Sequence, residues 1–157
     1  MADLDQRFER DQAYPKRKLN ADKLNRIREV FRQFKLSAID YFDATGRHLP
    51  VFGELGEIYA ERRFGIKRHG PGRCGSDGRI GNTLVEIKTI SPLKGNDEVR
   101  VKRSGNFGAL ILVKFDADHR VDAKIVLRKN LPKGMGKWMR VRRAEVRCEQ
   151  DHFRSLL

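Results

Sequence analysis

The sequence predicts a mixed α/β protein, in which a β-sheet core is flanked by helices and preceded by an N-terminal helical extension. Apolar residues recur at spacings of three and four over residues 20–45, and a second helical stretch follows. Three β-branched runs then follow in the order typical of a sheet protein. At 157 residues we expect one compact domain, with an arm and helical extension at 1–49 and the core at 50–157.

The first helix is predicted from Asn20, which can cap it, to about Thr45, with Gly46 as its stop. One apolar stripe runs along it: Leu24, Ile27, Phe31, Phe34, Ala38 and Tyr41. Such a stripe suits packing on the chain's own core. Dimerisation through the same stripe stays open, so a homodimer is an alternative to a monomer.

The second helix is predicted after Pro50, from Gly53 to about Phe64, and Gly65 ends it. Gly53, Gly56 and Ala60 fall on one of its faces at 3.6 residues per turn. Because these side chains are small, we expect this face to approach a sheet closely.

The remaining elements are strands. Glycines punctuate residues 65–81, which favours turns and short strands. Thr83 to Ile90 is predicted as a strand, and Ala109 to Phe115 as a second one buried on both faces. Asp122 to Leu127 follows the turn "DADHR" and is the expected hairpin partner of the second strand.

A net charge of +13 is the strongest feature of the composition, with 34 Lys and Arg against 21 Asp and Glu. A field of this sign attracts polyanions, nucleic acid first and then an anionic membrane or an acidic protein. We expect DNA before RNA as the partner. In "EVRVK", alternation places Arg100 and Lys102 on one face, although a merely solvated strand or loop explains them equally well. The candidate nucleic-acid contacts are Arg100, Lys102, Arg103, Lys137 and Arg140.

The sequence argues against a membrane partner and a disulfide scaffold. No apolar run approaches the roughly 20 residues that a membrane span needs. The first 18 residues contain no apolar signal region. Cys74 and Cys148 lie far apart and match no metal-ligand spacing. We therefore expect a cytoplasmic protein with free thiols.

The strand "TLVEIKTI" carries two charges on one face. Side chains two apart in a strand share a face, so Glu86 and Lys88 point one way with Leu84. A buried charge is costly unless it is paired or binds a metal. Either this is an edge strand with a solvent-facing ion pair, which contributes little, or it is a hydrolytic metal site.

Asp77, in the preceding glycine-rich turn, completes the second explanation. Mg²⁺ takes oxygen ligands and keeps several waters, so Asp77 and Glu86 with a substrate phosphate suffice to hold it. Mn²⁺ is its expected substitute. Lys88 beside them would orient the attacking water and offset charge that develops on the phosphate.

The order of these residues resembles the PD-(D/E)xK nuclease superfamily, which has the restriction-endonuclease-like fold. The resemblance covers roughly Phe52 to Leu127 and depends on Asp77, Glu86 and Lys88. Ser76 stands where the motif has proline. The resemblance implies catalytic roles for these three residues, metal ligands at Asp77, Glu86 and Ile87, and an accessory acid on the preceding helix.

Three glutamates of "GELGEIYAERRFG" are candidates for that acid. Glu57 flanks the small-residue face and is our first choice as a catalytic residue, Glu54 is the second, and Glu61 lies further round. The alternative is that all three face solvent and pair with Arg62 and Arg63.

These patterns predict a Mg²⁺-dependent nuclease that hydrolyses phosphodiester bonds. The alternative is a non-catalytic nucleic-acid-binding or assembly module on the same fold. A basic structural protein bound to RNA is a third reading, but it leaves Asp77, Glu86 and Lys88 unexplained.

Overall fold

The computed structural model describes residues 21–47, 49, 51–70 and 75–151. Several sequence predictions fall outside these ranges: the N-terminal arm at 1–19, the Asn20 cap, the break at Pro50 and the state of Cys74. Cys148 is exposed and is a free thiol.

Both predicted helices are confirmed. Helix α1 spans Ala21–Thr45 and helix α2 spans Phe52–Phe64. Gly46 and Gly65 follow them with φ angles of 66° and 65°. This left-handed conformation is unfavourable for residues with a Cβ atom, so a glycine ends each helix where the sequence predicted.

In the described part of the chain, seven strands form two sheets. They are β1 (Lys67–Arg68), β2 (Gly78–Ile80), β3 (Thr83–Ile90), β4 (Glu98–Lys102), β5 (Ala109–Phe115), β6 (Val121–Leu127) and β7 (Trp138–Arg142). The main sheet has the order β1-β2-β3-β5-β6, and its β3–β5 pair is parallel while the other pairs are antiparallel. Strands β4 and β7 pair with each other in a second, antiparallel sheet.

The chain crosses from β3 to β5 through β4. Parallel neighbours are usually joined by a helix, but here the connection contributes a strand that pairs with β7. The prediction of a sheet flanked by helices is therefore right for one face only. Helices α1 and α2 cover that face, and the β4–β7 sheet covers the other.

The two faces of the main sheet carry separate apolar cores. Val85 and Ile87 of β3 pack with Phe64 of α2 in the first core. Ile90 of β3 packs with Val101 of β4 and other residues of the small sheet in the second core. Strand β3 thus alternates as predicted, and Glu86 and Lys88 lie on the face that the β4–β7 sheet shares.

Helix α1 buries only part of its apolar stripe. Phe31 and Ala38 are buried, and the Phe31 ring lies 6.5 Å from that of Tyr59 in α2. Phe34 and Tyr41 stay on the exposed flank of the stripe. Packing on the chain's own core is confirmed, and dimerisation stays a prediction. Among the described residues, no helix has the length and apolarity to cross a membrane.

Candidate active site

Among the described strands, none pairs with the β2-side edge of β3 beyond Val85. Strand β2 pairs with β3 only as far as Gly78, opposite Val85, so residues 86–90 extend beyond it. Asp77 lies at this point. Its N–H donates to the carbonyl of Val85 at 2.9 Å, and its Oδ2 accepts from the N–H of Ile87 at 2.6 Å. The carboxylate therefore takes the place of a strand partner and is fixed against the edge of β3.

Glu86 and Lys88 form an ion pair on one face of β3. Lys88 Nζ lies 2.7 Å from Glu86 Oε1. The Glu86 side chain is 16% exposed and that of Lys88 is 33% exposed. Because both side chains are partly buried, this ion pair differs from the fully solvated pair on an edge strand that is the simpler explanation of the motif.

Helix α2 approaches β3 closely enough to bring Glu57 to the same edge. A Cβ atom built on Gly56 would lie 1.9 Å from Oγ1 of Thr89, so only glycine fits there. Ala60, one turn later, is fully buried. The small-residue face is confirmed for these two residues, whereas a Cβ on Gly53 would meet nothing within 4 Å.

A cavity of about 520 Å³ lies between α2 and the uncovered edge of β3. Glu57, Asp77, Ile87 and Lys88 line it together with Gly53, two hydroxyl side chains (Thr89 and Ser91) and apolar side chains. Glu86 is not among its lining residues and is joined to the group through Lys88. We call Glu57, Asp77, Glu86 and Lys88 the acidic edge.

The acids of this cavity repel one another. Partial burial raises the pKa of Glu57, and the nearby carboxylates of Asp77 and then Glu54 raise it further. Arg68 acts in the opposite direction but does not outweigh them. Carboxylates that oppose each other's ionisation in a partly buried cleft favour a cation among them.

Arg68 is the residue that the sequence did not reveal. Its NH1 lies 2.7 Å from Glu54 and 3.5 Å from Glu57, and its Nε lies 2.9 Å from Glu61. The three helix glutamates therefore share an arginine of strand β1. The alternative prediction assigned them to their helical neighbours Arg62 and Arg63. No local signal points to Arg68, because the pairing spans 7 to 14 residues.

The donor set suits a hard cation with few protein ligands. Among the described residues, no three side chains of His, Cys, Asp or Glu come together closely enough to form a metal cage. Mg²⁺ does not require one, since one or two carboxylates, waters and a substrate phosphate satisfy it. Asp77 and Glu57 bring two carboxylates to one cavity, which the strand residue Ile87 also lines. Glu86 precedes Ile87 in the strand. These groups fit that chemistry.

A second cluster of charge lies on the outer face of the β4–β7 sheet. Arg100 is paired with Arg140, and Lys102 with Trp138, across the two strands. The Arg100 guanidinium lies 5.2 Å from the centre of the Trp138 ring, and Lys137 Nζ lies 5.8 Å from it. We call Arg100, Lys102, Lys137, Trp138 and Arg140 the cationic face. Four of the five predicted nucleic-acid contacts lie in it.

The fifth predicted contact has a different environment. Arg103 NH1 donates to the carbonyl of Pro132 at 3.0 Å, so this side chain braces the loop before β7. Glu98 is an acid next to the cationic face and lies 3.7 Å from Arg140 and 3.4 Å from Arg142. Arg142 also contacts Glu145. Among the described residues, the cations at the other end of this sheet, Arg100 and Lys102, have no carboxylate within ion-pair distance.

Comparison with known proteins adds no relative to this description. No family model matches the chain, and no curated protein is significantly similar to it. The likeness to the PD-(D/E)xK superfamily therefore stays a prediction that depends on the residues of the acidic edge.

Proposed function

We propose that this protein is a Mg²⁺-dependent nuclease that hydrolyses phosphodiester bonds of nucleic acid, and that it favours DNA over RNA as its substrate. One observation carries the proposal. Two carboxylates, a lysine and strand backbone meet in one open cavity at the uncovered edge of β3. A part-buried acid–lysine pair beside that cavity completes a set of groups suited to phosphoryl chemistry.

Asp77, Glu86 and the backbone of Ile87 would hold the metal ion. When bound, it would supply Lewis-acid stabilisation of the phosphate and lower the pKa of a coordinated water. The hydrogen bond from Ile87 to Asp77 already orients one of the carboxylates toward the strand. Glu86 would then exchange part of its contact with Lys88 for the cation.

Lys88 has the chemistry to position the attacking water. Lys88 lines the cavity, and an ammonium group donates hydrogen bonds, so it can orient a water and offset the negative charge that grows on the phosphate. Glu57 lines the cavity beside Asp77, and its raised pKa favours its protonated form. It therefore suits a proton-transfer or water-orienting role better than Glu54, which is bound closely by Arg68.

The positive charge of the protein supports the choice of substrate. Arg100, Lys102 and Arg140 lie on one exposed face, where they can contact successive phosphates without reading sequence. The small sheet that carries them packs on the same side of the main sheet as Glu86 and Lys88. A substrate bound to the cationic face is thus on the side of the sheet from which Lys88 projects.

A cleavage assay with a panel of substrates tests the proposal. Duplex, single-stranded and branched DNA and RNA are incubated with Mg²⁺, Mn²⁺ or EDTA, beside the Asp77→Asn and Lys88→Ala variants. We expect cleavage that requires the metal and is lost in both variants. Lys129→Ala, an exposed lysine away from the cavity, is the matched control and should cut like the wild type. Cleavage that persists in EDTA would contradict the proposal.

A non-catalytic nucleic-acid-binding module is the second candidate. The observation that favours it is the Glu86–Lys88 ion pair, since each group already satisfies the other without a metal. Under this alternative the wild type binds the same substrates with a steep dependence on salt but cuts none of them with either metal. The same panel therefore separates the two functions.

A further inference from the structure

A pair of cations lies on strands β1 and β2, at the edge of the main sheet opposite β6. Lys67 of β1 is the register partner of Arg79 of β2, and Arg79 is in turn opposite Leu84 of β3. Both cations are exposed. Partners across antiparallel strands share a face, so Lys67 and Arg79 lie on the face of Leu84, Glu86 and Lys88.

These two charges are directly opposed across the strand pair. Like charges facing each other across a ladder are destabilising. In the part of the chain that the structure describes, neither Lys67 nor Arg79 lies within ion-pair distance of a carboxylate. The neighbouring Arg68, by contrast, contacts three glutamates of α2. An uncompensated cation pair on a sheet favours an anion from outside the chain.

A second cavity of about 520 Å³ opens above this pair. Lys67 and Arg79 line it with His69, Ser76 and Asn106. The ring of His69 is held in place, because its Nδ1 lies 3.1 Å from the carbonyl oxygen of Ser76 and 3.3 Å from its hydroxyl. Arg68 lines the cavity as well, but it is engaged by the glutamates of α2. The walls therefore offer the two cations of the pair, an amide and an oriented imidazole, which are groups that recognise phosphate oxygens.

We propose that Lys67, Arg79 and the cavity around them bind a backbone phosphate of the nucleic acid on one side of the cleavage site. This inference rests on the proposed function and extends it from the cleavage site to the grip on the substrate. Leu84, which lines the cavity, precedes Glu86 by two strand residues, or about 7 Å. The bound phosphate therefore belongs to a nucleotide next to, or one beyond, the one that is cut.

Binding in EDTA tests the subsite without any cleavage. The affinity of a fluorescein-labelled DNA duplex and of its single strand is measured by anisotropy between about 50 and 200 mM NaCl. Each lost phosphate contact lowers the slope of log K against log salt by about 0.9 on duplex DNA. We expect Lys67→Ala/Arg79→Ala to reduce the slope by about 1 to 2. Lys23→Ala/Lys129→Ala makes the same change in net charge and should retain the wild-type slope.

Thermal unfolding separates lost binding from lost folding. Because the two cations repel each other, removing them should leave the Tm unchanged or raise it. If the double alanine variant does not fold, the double variant Lys67→Gln/Arg79→Gln is used in its place, because glutamine removes the charge but keeps most of the aliphatic part of each side chain. A double variant that folds and binds with the slope of the control pair, or a wild type that does not bind DNA, overturns the subsite.

The outcomes for the two proposals differ. If the wild type cuts no substrate with Mg²⁺ or Mn²⁺, but the double variant loses part of the salt slope, the nuclease is refuted and the subsite stands. If the wild type cuts and the double variant binds like the control pair, the subsite is refuted and the nuclease stands.

Discussion

The acidic edge and the cationic face occupy different parts of the sheets and use charge in different ways. At the acidic edge, carboxylates and a lysine are part-buried, fixed by hydrogen bonds and brought together from a helix, a turn and a strand. On the cationic face, the side chains of two neighbouring strands are exposed to solvent. Chemistry requires fixed positions within a fraction of an ångström, whereas attraction for a polyanion requires only charge of the right sign.

Substitution of a single group should therefore be severe at the acidic edge and graded on the cationic face. We expect Asp77→Asn to lower the cleavage rate by about a thousandfold, because a catalytic metal contributes several kcal/mol to the transition state. The affinity for DNA in EDTA should stay within a factor of a few, since Asp77 does not attract phosphate. Rates from single-turnover cleavage and affinities from anisotropy check both halves. If the Asp77→Asn variant loses affinity for DNA by the same factor as it loses cleavage, the proposed difference between the acidic edge and the cationic face is wrong.

The close approach of α2 to β3 can be tested with two neighbouring glycines. Gly56→Ala should lower the free energy of unfolding by about 1 to 3 kcal/mol, because its Cβ would overlap Thr89. Gly53→Ala should change it by less than about 1 kcal/mol, in the stabilising direction, since its Cβ meets open space and alanine favours a helix. Denaturant unfolding of the two variants measures the difference. Equal effects would show that α2 does not depend on this contact to position Glu57.

The cationic face should respond in proportion to the charge removed. Arg100→Ala and Arg140→Ala should each lower the slope of log K against log salt by about 0.9 on duplex DNA, and the double variant by about twice that. The turnover of bound substrate should be unchanged at saturating concentration. Anisotropy titrations at several salt concentrations check the slopes, with Lys129→Ala as the control. An equal change of slope in the control would mean that net charge, and not this face, holds the substrate.

The smallest expected effect is a pH dependence at Glu57. Its pKa is raised by burial and by Asp77 and Glu54, so its ionised form destabilises the folded protein. This cost is present above the raised pKa and is lost as the pH falls through it, because the folded state then holds the proton more tightly than the unfolded state. Glu57→Gln should therefore have a higher Tm than the wild type at neutral pH in EDTA.

The difference in Tm between Glu57→Gln and the wild type should shrink as the pH falls through the raised pKa toward the ordinary pKa of a glutamate, and it should stay constant below that. Thermal unfolding at a series of pH values measures it. Glu61→Gln is the matched control, since Glu61 also contacts Arg68 but is not one of the residues that line the cavity. A difference that does not depend on pH would show that the effect of the substitution is not electrostatic.

The strands that depend on local pattern were predicted closely. Thr83–Ile90 and Ala109–Phe115 have the predicted bounds, because alternation and a continuous buried run are both visible in a short window of sequence. Helix α2 begins at Phe52, one residue before the prediction, and β6 begins at Val121, also one residue earlier. Gly65 ended its helix as expected because a left-handed residue is a local requirement.

The contacts between distant segments were not predicted. The pairing of β4 with β7 joins residues about 40 apart, and nothing in either strand names its partner. The same holds for Arg68 and the helix glutamates and for the alignment of Lys67 with Arg79. Pairing of this kind depends on loop closure and on which apolar faces meet, and a sequence window contains neither.

The amino-acid sequence alone determined which groups are available: the glycine face of α2, the alternating acid and lysine of β3, and the excess of positive charge. Only the tertiary structure decided which of them meet. It brought Glu57, Asp77 and Lys88 to one cavity and left Glu86 beside it, and it turned scattered arginines and lysines into two separate surfaces. The reason is that chemical identity and periodicity are properties of the chain, whereas proximity is a property of packing.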